Sequence, residues 1–220
     1  MTVLADLIII AFLSFLAVAS VTWYFRMRRK TLVLTKRVTE ELEKVFKPVD
    51  KTYVLLGYLV GYRAKYELEN GDRVYILFTT APRHSILYYP IAKALKRTDR
   101  IEIAIENSKR HVARDLHAVA LSDSRLLNVL LRDLGSKKEV ISKRAIETSR
   151  GEYMVYYEDS GDIELVKRFI DSVELNIYRL SAFTRNNLVE LVAEIREDSV
   201  QSLVRALREL NRYVTKSSSQ

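Results

Sequence analysis

An uninterrupted run of nineteen uncharged residues, Leu7–Phe25, constrains this chain more than any other feature. At about 1.5 Å per residue, a helix of this length spans roughly 28 Å, which matches the hydrocarbon thickness of a bilayer. Trp23 and Tyr24 stand at its end, and amphipathic rings of this kind favour the headgroup region. The sequence therefore predicts a short tip and a transmembrane helix over residues 1–25.

The direction of this helix is predicted from the basic cluster that follows it: Arg26, Arg28, Arg29 and Lys30. A cleaved signal peptide carries positive charge before its apolar run, whereas here that side holds only MTVLAD. Because basic flanks stay in the cytoplasm, we expect a single-pass protein of the cell membrane with an extracytoplasmic tip and a cytoplasmic C-terminal domain. The four side chains are also expected to attract anionic lipid headgroups of the bilayer.

Residues 26–48 are predicted to form a basic juxtamembrane stalk helix, which Pro48 ends. Its apolar residues fall on one stripe: Leu34, Val38, Leu42, Val45 and Phe46. Three interpretations of the stripe remain open at this point. It packs on the domain that follows, it forms a seam for self-association, or it lies on the membrane surface.

The net charge of +8 is concentrated next to the membrane. Residues 26–51 hold nine Lys or Arg against four acidic residues, whereas residues 52–220 hold 27 basic against 23 acidic side chains. The basic balance is therefore weak support for nucleic-acid binding by the folded domain. The absence of cysteine excludes disulfides, thiolate metal sites and a cysteine nucleophile.

The rest of the chain predicts an α+β fold in which antiparallel β-hairpins alternate with helices. Residues 62–69 alternate apolar and charged side chains, and a second strand follows at 73–78. A three-residue loop between them would pair Glu69 with Arg73. Pro90 is predicted to start a short helix that runs to Leu95.

This order of elements recurs along the chain. Hairpins are predicted to begin near 62, 100, 138 and 175, and helices near 86, 124, 162 and 199. The spacing of 38, 38 and 37 residues predicts four ββα units within a cytoplasmic domain over 49–214. Two ββαββα halves, 49–136 and 137–214, are one division of that domain. Residues 53–60 are predicted to add a strand, and residues 215–220 a disordered tail.

No constellation of catalytic or metal-binding residues is evident. The three histidines, His84, His111 and His117, lack the spacing of a zinc motif. Neither a Gly-rich phosphate loop nor a nucleophile elbow occurs. We therefore expect no enzymatic activity, no metal and no cofactor.

The candidate partner surface consists of a loop and its basic neighbours. Tyr and Arg are enriched at binding hot spots, and a loop is where function concentrates. The residues are Arg83, His84, Tyr88 and Tyr89 in the loop, and Lys109, Arg110 and Arg114 further along the chain. If these residues lie on one side of the domain, they could contact a protein partner. Alternatively, the basic side chains could bind RNA phosphates while the tyrosines stack on bases. Solvated hairpin ends explain the same charges.

These features favour a membrane-anchored interaction or scaffold module, a subunit of a larger membrane-associated assembly with an unidentified protein partner. The alternative is a membrane tether for RNA or ribosomes that acts through the basic hairpin loops. Because every element after the stalk has a polar face, a chain starting near Lys47 is expected to be soluble and to unfold cooperatively without detergent.

Overall fold

The computed structural model describes residues 2–95, 97–135, 140–196 and 198–217. Within these ranges the helices are α1 Thr2–Phe46, α2 Tyr88–Ala94, α3 Ser124–Leu134, α4 Gly161–Ser172 and α5 Val200–Val214. The strands of the same ranges are β1 Asp50–Gly57, β2 Gly61–Glu67, β3 Arg73–Thr79, β4 Arg100–Glu106, β5 Arg110–Val112, β6 Leu116–Ala120, β7 Ser142–Thr148, β8 Gly151–Tyr157, β9 Ile177–Phe183, β10 Leu188–Glu194 and β11 Thr215–Ser217.

The predicted transmembrane and stalk segments form one continuous helix, α1. Its apolar part is long and hydrophobic enough to cross a membrane, and it is the one helix of this kind among the described residues. The helix ends at Phe46, two residues before Pro48, as the proline predicts.

The second half of α1 packs on its own domain. Leu34, Val38, Leu42 and Phe46 are buried in the main hydrophobic core. The Phe46 and Tyr66 rings meet edge to face at 6.3 Å, and the Thr39 hydroxyl donates to the Tyr62 hydroxyl at 2.9 Å. Of the three interpretations, packing on the domain is therefore the one that the structure shows. Self-association through the stalk stays a prediction.

The chain has an α+β fold built on one antiparallel sheet, which confirms the predicted class. In the described residues the sheet has nine strands in the order β1-β2-β3-β4-β10-β9-β6-β8-β7. Strands β9 and β10 lie between β4 and β6, so the proposed boundary at 136/137 does not divide the sheet. Three of the predicted hairpins form: β2–β3, β7–β8 and β9–β10. The second does not, because β4 pairs with β3 and β10 while β6 pairs with β8 and β9.

Helices cover the two faces of the sheet unequally. The main core lies between one face and α1, α4 and α5, and it is filled by the inward side chains of most strands. A smaller core lies on the other face under α3, where Val119, Leu130, Leu134 and Tyr156 pack together. The alternation of apolar and charged residues in β2 follows from this arrangement, because one face of the strand points away from α1.

Two local predictions are wrong in detail. Glu67, not Glu69, pairs with Arg73, so the first hairpin loop has five residues. The loop is closed by a local hydrogen bond in which the Asn70 side-chain oxygen accepts from the Asp72 amide at 3.1 Å. This two-residue shift keeps every side chain on its predicted face. Strand β1 also begins and ends three residues earlier than predicted.

The predicted disordered tail is wrong for Thr215–Ser217, which form β11. This strand pairs with β5, where Thr215 lies opposite Val112. The backbone of α5 leads directly into it, and the Ala113 amide donates to the Val214 carbonyl at 2.9 Å. The main chain of β5 thus supplies the hydrogen-bond partners of this segment, and the sequence of the tail alone does not reveal this pairing. Residues 218–220 lie outside the described residues.

Candidate membrane-facing surface

The loop that contains Arg83–Tyr89 contacts α1 where its apolar run ends. The Trp23 indole N–H donates to the Arg83 carbonyl at 2.9 Å. The Trp23 ring lies 5.6 Å from that of Tyr89, and the Tyr24 ring lies 6.4 Å from that of His84. These contacts hold the loop at the level of Trp23, the residue predicted to lie among the lipid headgroups.

A second contact lies slightly further along α1. The Arg28 guanidinium stacks over the Tyr58 ring at 5.3 Å, and Tyr58 belongs to the turn between β1 and β2. Met27 and Thr31 are buried against the domain. Since Trp23 and Arg28 are about 7.5 Å apart along the helix axis, the domain begins directly below the membrane-crossing part of α1.

The sheet therefore has a near end and a far end relative to α1's apolar run. At the near end Gly57 pairs with Gly61, and Gly61 with Thr79. At the far end Asp50 pairs with Glu67. Seven extended residues, the length of β4, separate the two ends by roughly 20 Å.

The structure does not bring the predicted partner residues into one surface. Arg83, His84, Tyr88 and Tyr89 lie at the near end against or beside α1. Lys109, Arg110 and Arg114 follow the far end of β4, where the Ser108 amide bonds to the Asp72 carboxylate at 2.8 Å. A role for either group in partner binding stays a prediction.

Arg83 has a structural task at the near end. Its guanidinium pairs with the buried carboxylate of Asp99, which also accepts a hydrogen bond from the Ala81 amide at 2.8 Å. The ion pair closes the loop between β3 and β4 and thereby positions the Arg83 carbonyl for Trp23. Tyr88 is likewise engaged, because the Arg97 guanidinium lies 5.8 Å from its ring centre.

A basic groove of about 740 Å³ runs between α1 and this loop. Its cations come from Arg26, Arg29 and Lys30, and from Arg83, which is also paired with Asp99; apolar side chains form the rest of the lining. None of the described lining residues is acidic. At the end of a membrane-crossing helix, a groove of this composition suits an anionic headgroup with the start of its acyl chain.

The near end also exposes large apolar side chains that sequence reasoning did not single out. Leu87, Ile91 and Leu95 are solvent-exposed along α2, and Tyr58 and Val60 are exposed in the β1–β2 turn. The spacing of four residues in α2 was visible in the sequence. It does not reveal on its own whether the stripe faces a core or the surroundings.

Arg114 is part of an ion pair at the far end. Its Nε lies 2.8 Å from Asp162 Oδ2 and its Nη2 lies 2.6 Å from Asp162 Oδ1, a bidentate arrangement. Asp162 is fully buried in the first turn of α4. The hydrogen bonds to this carboxylate raise the pKa of Arg114 above its ordinary value. Arg114 therefore links the β5–β6 connection to α4.

A second cleft, of about 660 Å³, lies beside the C-terminal end of α3. In it Arg179 pairs with Glu190, and both side chains are buried. Asp133 approaches the same guanidinium at 3.6 Å. Burial raises the pKa of Glu190 to about 6, although the positive charge of Arg179 opposes the shift.

This shift predicts a pH-dependent contribution to stability. Because the pKa of Glu190 is higher in the folded state than its ordinary 4.5, the group stabilises the fold below pH 4.5 and loses that contribution as pH rises through 6. Relative to a Glu190→Gln variant, the parent should lose about 2 kcal/mol of unfolding free energy over this range. Denaturant unfolding at several pH values measures the difference, and parallel curves for the two proteins would contradict the prediction.

No group of three or more His, Asp or Glu residues placed to hold a metal ion occurs among the described residues. No protein-family model matches the chain, and no curated protein matches its sequence. Among solved structures, the chain is similar to the crystal structure of the mycobacterial trehalose monomycolate transport factor A, TtfA, at 12% identity and a TM-score of 0.41. The match covers 85% of this chain and 98% of that one. A similarity at this level carries no inference about function.

Proposed function

We propose that this protein is a single-pass, membrane-anchored interaction module of the cytoplasmic face, and a non-enzymatic subunit of a larger membrane-associated assembly. The observation that carries the proposal is the continuity of α1 from its membrane-crossing part into the core of the domain. Because no break separates the membrane-crossing part of α1 from the part that is buried in the domain, the helix holds the domain at a fixed angle to the bilayer. The same surfaces of the domain therefore always face the same direction relative to the membrane, where partners can bind them.

Contacts with α5 strengthen this rigid connection. The Gln201 amide donates to Glu41 at 2.7 Å, and the Arg208 guanidinium donates to the Val45 carbonyl at 2.9 Å. Arg208 also lies over the Phe46 ring at 5.5 Å. The stalk is thus clamped between the sheet and the last helix. A flexible tether would show none of these contacts.

The open edge of β1 is the surface that best suits a protein partner. Each of its residues is exposed, and its main chain pairs on one side with β2. The opposite edge strand, β7, carries Lys143, Arg144 and Glu147, and such charges discourage edge pairing. The β1 segment Tyr53–Leu56 has no charged residue. An edge of this kind accepts an added strand from a partner.

RNA binding through the basic loops has less support. Tyr88 and Tyr89 lie at the near end, and Lys109 and Arg110 lie at the far end, so stacking platforms and phosphate contacts are not on one surface. Arg114 already holds Asp162.

A substitution on β1 tests the partner surface. Val54→Glu places a charge on the apolar edge opposite Arg63, and we expect it to remove most of the partner recovered from gently solubilised membranes. Ala145→Glu on the exposed β7 edge is the matched control and should retain the partner. Melting temperatures should differ little among the three proteins. Full partner recovery with Val54→Glu, or recovery that is lost after ribonuclease treatment, would count against the proposal.

The orientation is tested with a reporter fused after Gln220, which we expect to be active in the cytoplasm. Replacing the basic flank, Arg26, Arg28, Arg29 and Lys30, by alanine should produce a mixture of orientations. The control replaces four far-end cations: Lys109, Arg110, Lys143 and Arg144. This control should keep the parent's orientation. An external C-terminus in the parent protein would overturn the proposed function.

A further inference from the structure

Helix α2 turns its apolar stripe outward. Leu87, just before the helix, Ile91 within it and Leu95 just after it follow one another at intervals of four residues, which places them on one face. They are 73%, 53% and 61% exposed, whereas Ala92 is buried. A helix on a water-soluble domain normally packs such a stripe inward. Three neighbouring exposed aliphatic side chains indicate that this face meets an apolar medium.

The position of α2 identifies that medium. Tyr89, in its first turn, packs against Trp23, and Trp23 in turn bonds to the Arg83 carbonyl. Trp23 lies near the end of the membrane-crossing run of α1, so α2 lies at the depth of the headgroups. Helix α2 therefore lies beside the end of the α1 segment that is expected to contact lipid.

The charges beside α2 indicate the type of lipid. Arg26, Arg29 and Lys30 line the basic groove together with Arg83, whose guanidinium is already paired with Asp99, and none of the described lining residues is acidic. Each Lys or Arg close to a bilayer contributes attraction of about 1 kcal/mol to anionic headgroups. The combination of an apolar stripe and adjoining cations is typical of interfacial helices.

We propose that α2 is a second membrane contact, whose Leu87, Ile91 and Leu95 side chains insert into the headgroup–acyl boundary of an anionic bilayer while a headgroup occupies the basic groove. This inference rests on the proposed membrane anchoring. It adds that the domain itself contacts the bilayer surface through α2, in addition to its connection through α1. Two contacts, α1 and α2, then fix the height and the rotation of the far end of the sheet.

The chain contains no cysteine, so a single introduced cysteine carries an environment-sensitive fluorophore at one defined site. The full-length protein is labelled at Leu87→Cys or Ile91→Cys and placed in phosphatidylcholine–phosphatidylglycerol vesicles. The matched control is Val49→Cys, which is 74% exposed beside the far end of the sheet. Lipids brominated near the top of the acyl chain should quench the α2 labels at least about twofold more than the Val49 label.

Equal quenching at the α2 sites and at Val49 overturns the inference. So does an α2 label that is shielded from water but not quenched by brominated lipid, because a protein then covers the stripe. Quenching that is unchanged in purely neutral vesicles overturns the role given to the basic groove. A Phe15→Cys label in α1 separates this result from failure of the anchor: quenching at Phe15 without quenching at Leu87 leaves the anchor intact and refutes the α2 contact.

Discussion

A chain that starts at Lys47 is expected to aggregate or remain molten, whereas a chain that starts at Arg26 should fold and unfold cooperatively. This reverses the expectation drawn from the sequence. Leu34, Val38, Leu42 and Phe46 are at most 6% exposed, and all four belong to the main core. Replacing one such side chain by alanine typically costs about 2–5 kcal/mol. Since a domain is stable by about 5–15 kcal/mol in total, losing all four removes most of that stability.

Circular dichroism melts and dye binding to exposed apolar surface compare the two chains. Point variants in the longer chain provide the controls. Leu42→Ala, at a fully buried position, should lower the unfolding free energy by about 3 kcal/mol, whereas Leu32→Ala, at a position that is 46% exposed, should change it by less than about 0.5 kcal/mol. A Lys47 chain with a cooperative melt near that of the longer chain would show that α1 does not belong to the core.

The elements of this fold were predictable because their patterns are local. Alternation marks a half-buried strand, a four-residue spacing marks a helix face, and Asp123 and Gly135 at the ends of α3 are standard cap residues. Strand pairing was not predictable in the same way. The inner face of β4 is apolar like those of β3, β9 and β10, so alternation alone does not specify that β4 pairs with β10, which begins 88 residues after β4.

The candidate surface shows the same limit. The sequence indicated the loop from Arg83 to Tyr89 as unusual, and the structure places that loop against α1. The sequence does not indicate that Trp23 is the residue contacted by this loop, because Trp23 and Arg83 are sixty residues apart. The outward stripe of α2 was likewise present in the sequence. A periodic stripe has the same spacing whether its neighbour is a protein core or a lipid surface.

Arg110 and Arg114 illustrate the difficulty at single residues. Both are arginines in one basic stretch, and the sequence assigned both to a partner surface. In the structure Arg110 is exposed on β5, whereas Arg114 holds a buried carboxylate 48 residues away. The type of a charged residue predicts its chemistry, but its role depends on the group that the fold places opposite it.

Arg114→Ala is therefore expected to destabilise the domain by about 3–5 kcal/mol, because it leaves the fully buried carboxylate of Asp162 without its bidentate partner. Arg110→Ala, in the same stretch, should change the unfolding free energy by no more than about 0.5 kcal/mol. Denaturant unfolding of the chain that starts at Arg26 measures both. The double variant Arg114→Ala, Asp162→Asn should recover part of the loss. The asparagine amide is neutral, so no unpaired charge remains buried when Arg114 is removed. Equal destabilisation by the two arginine variants, or no recovery in the double variant, would show that Arg114 contributes by packing and not by neutralising Asp162.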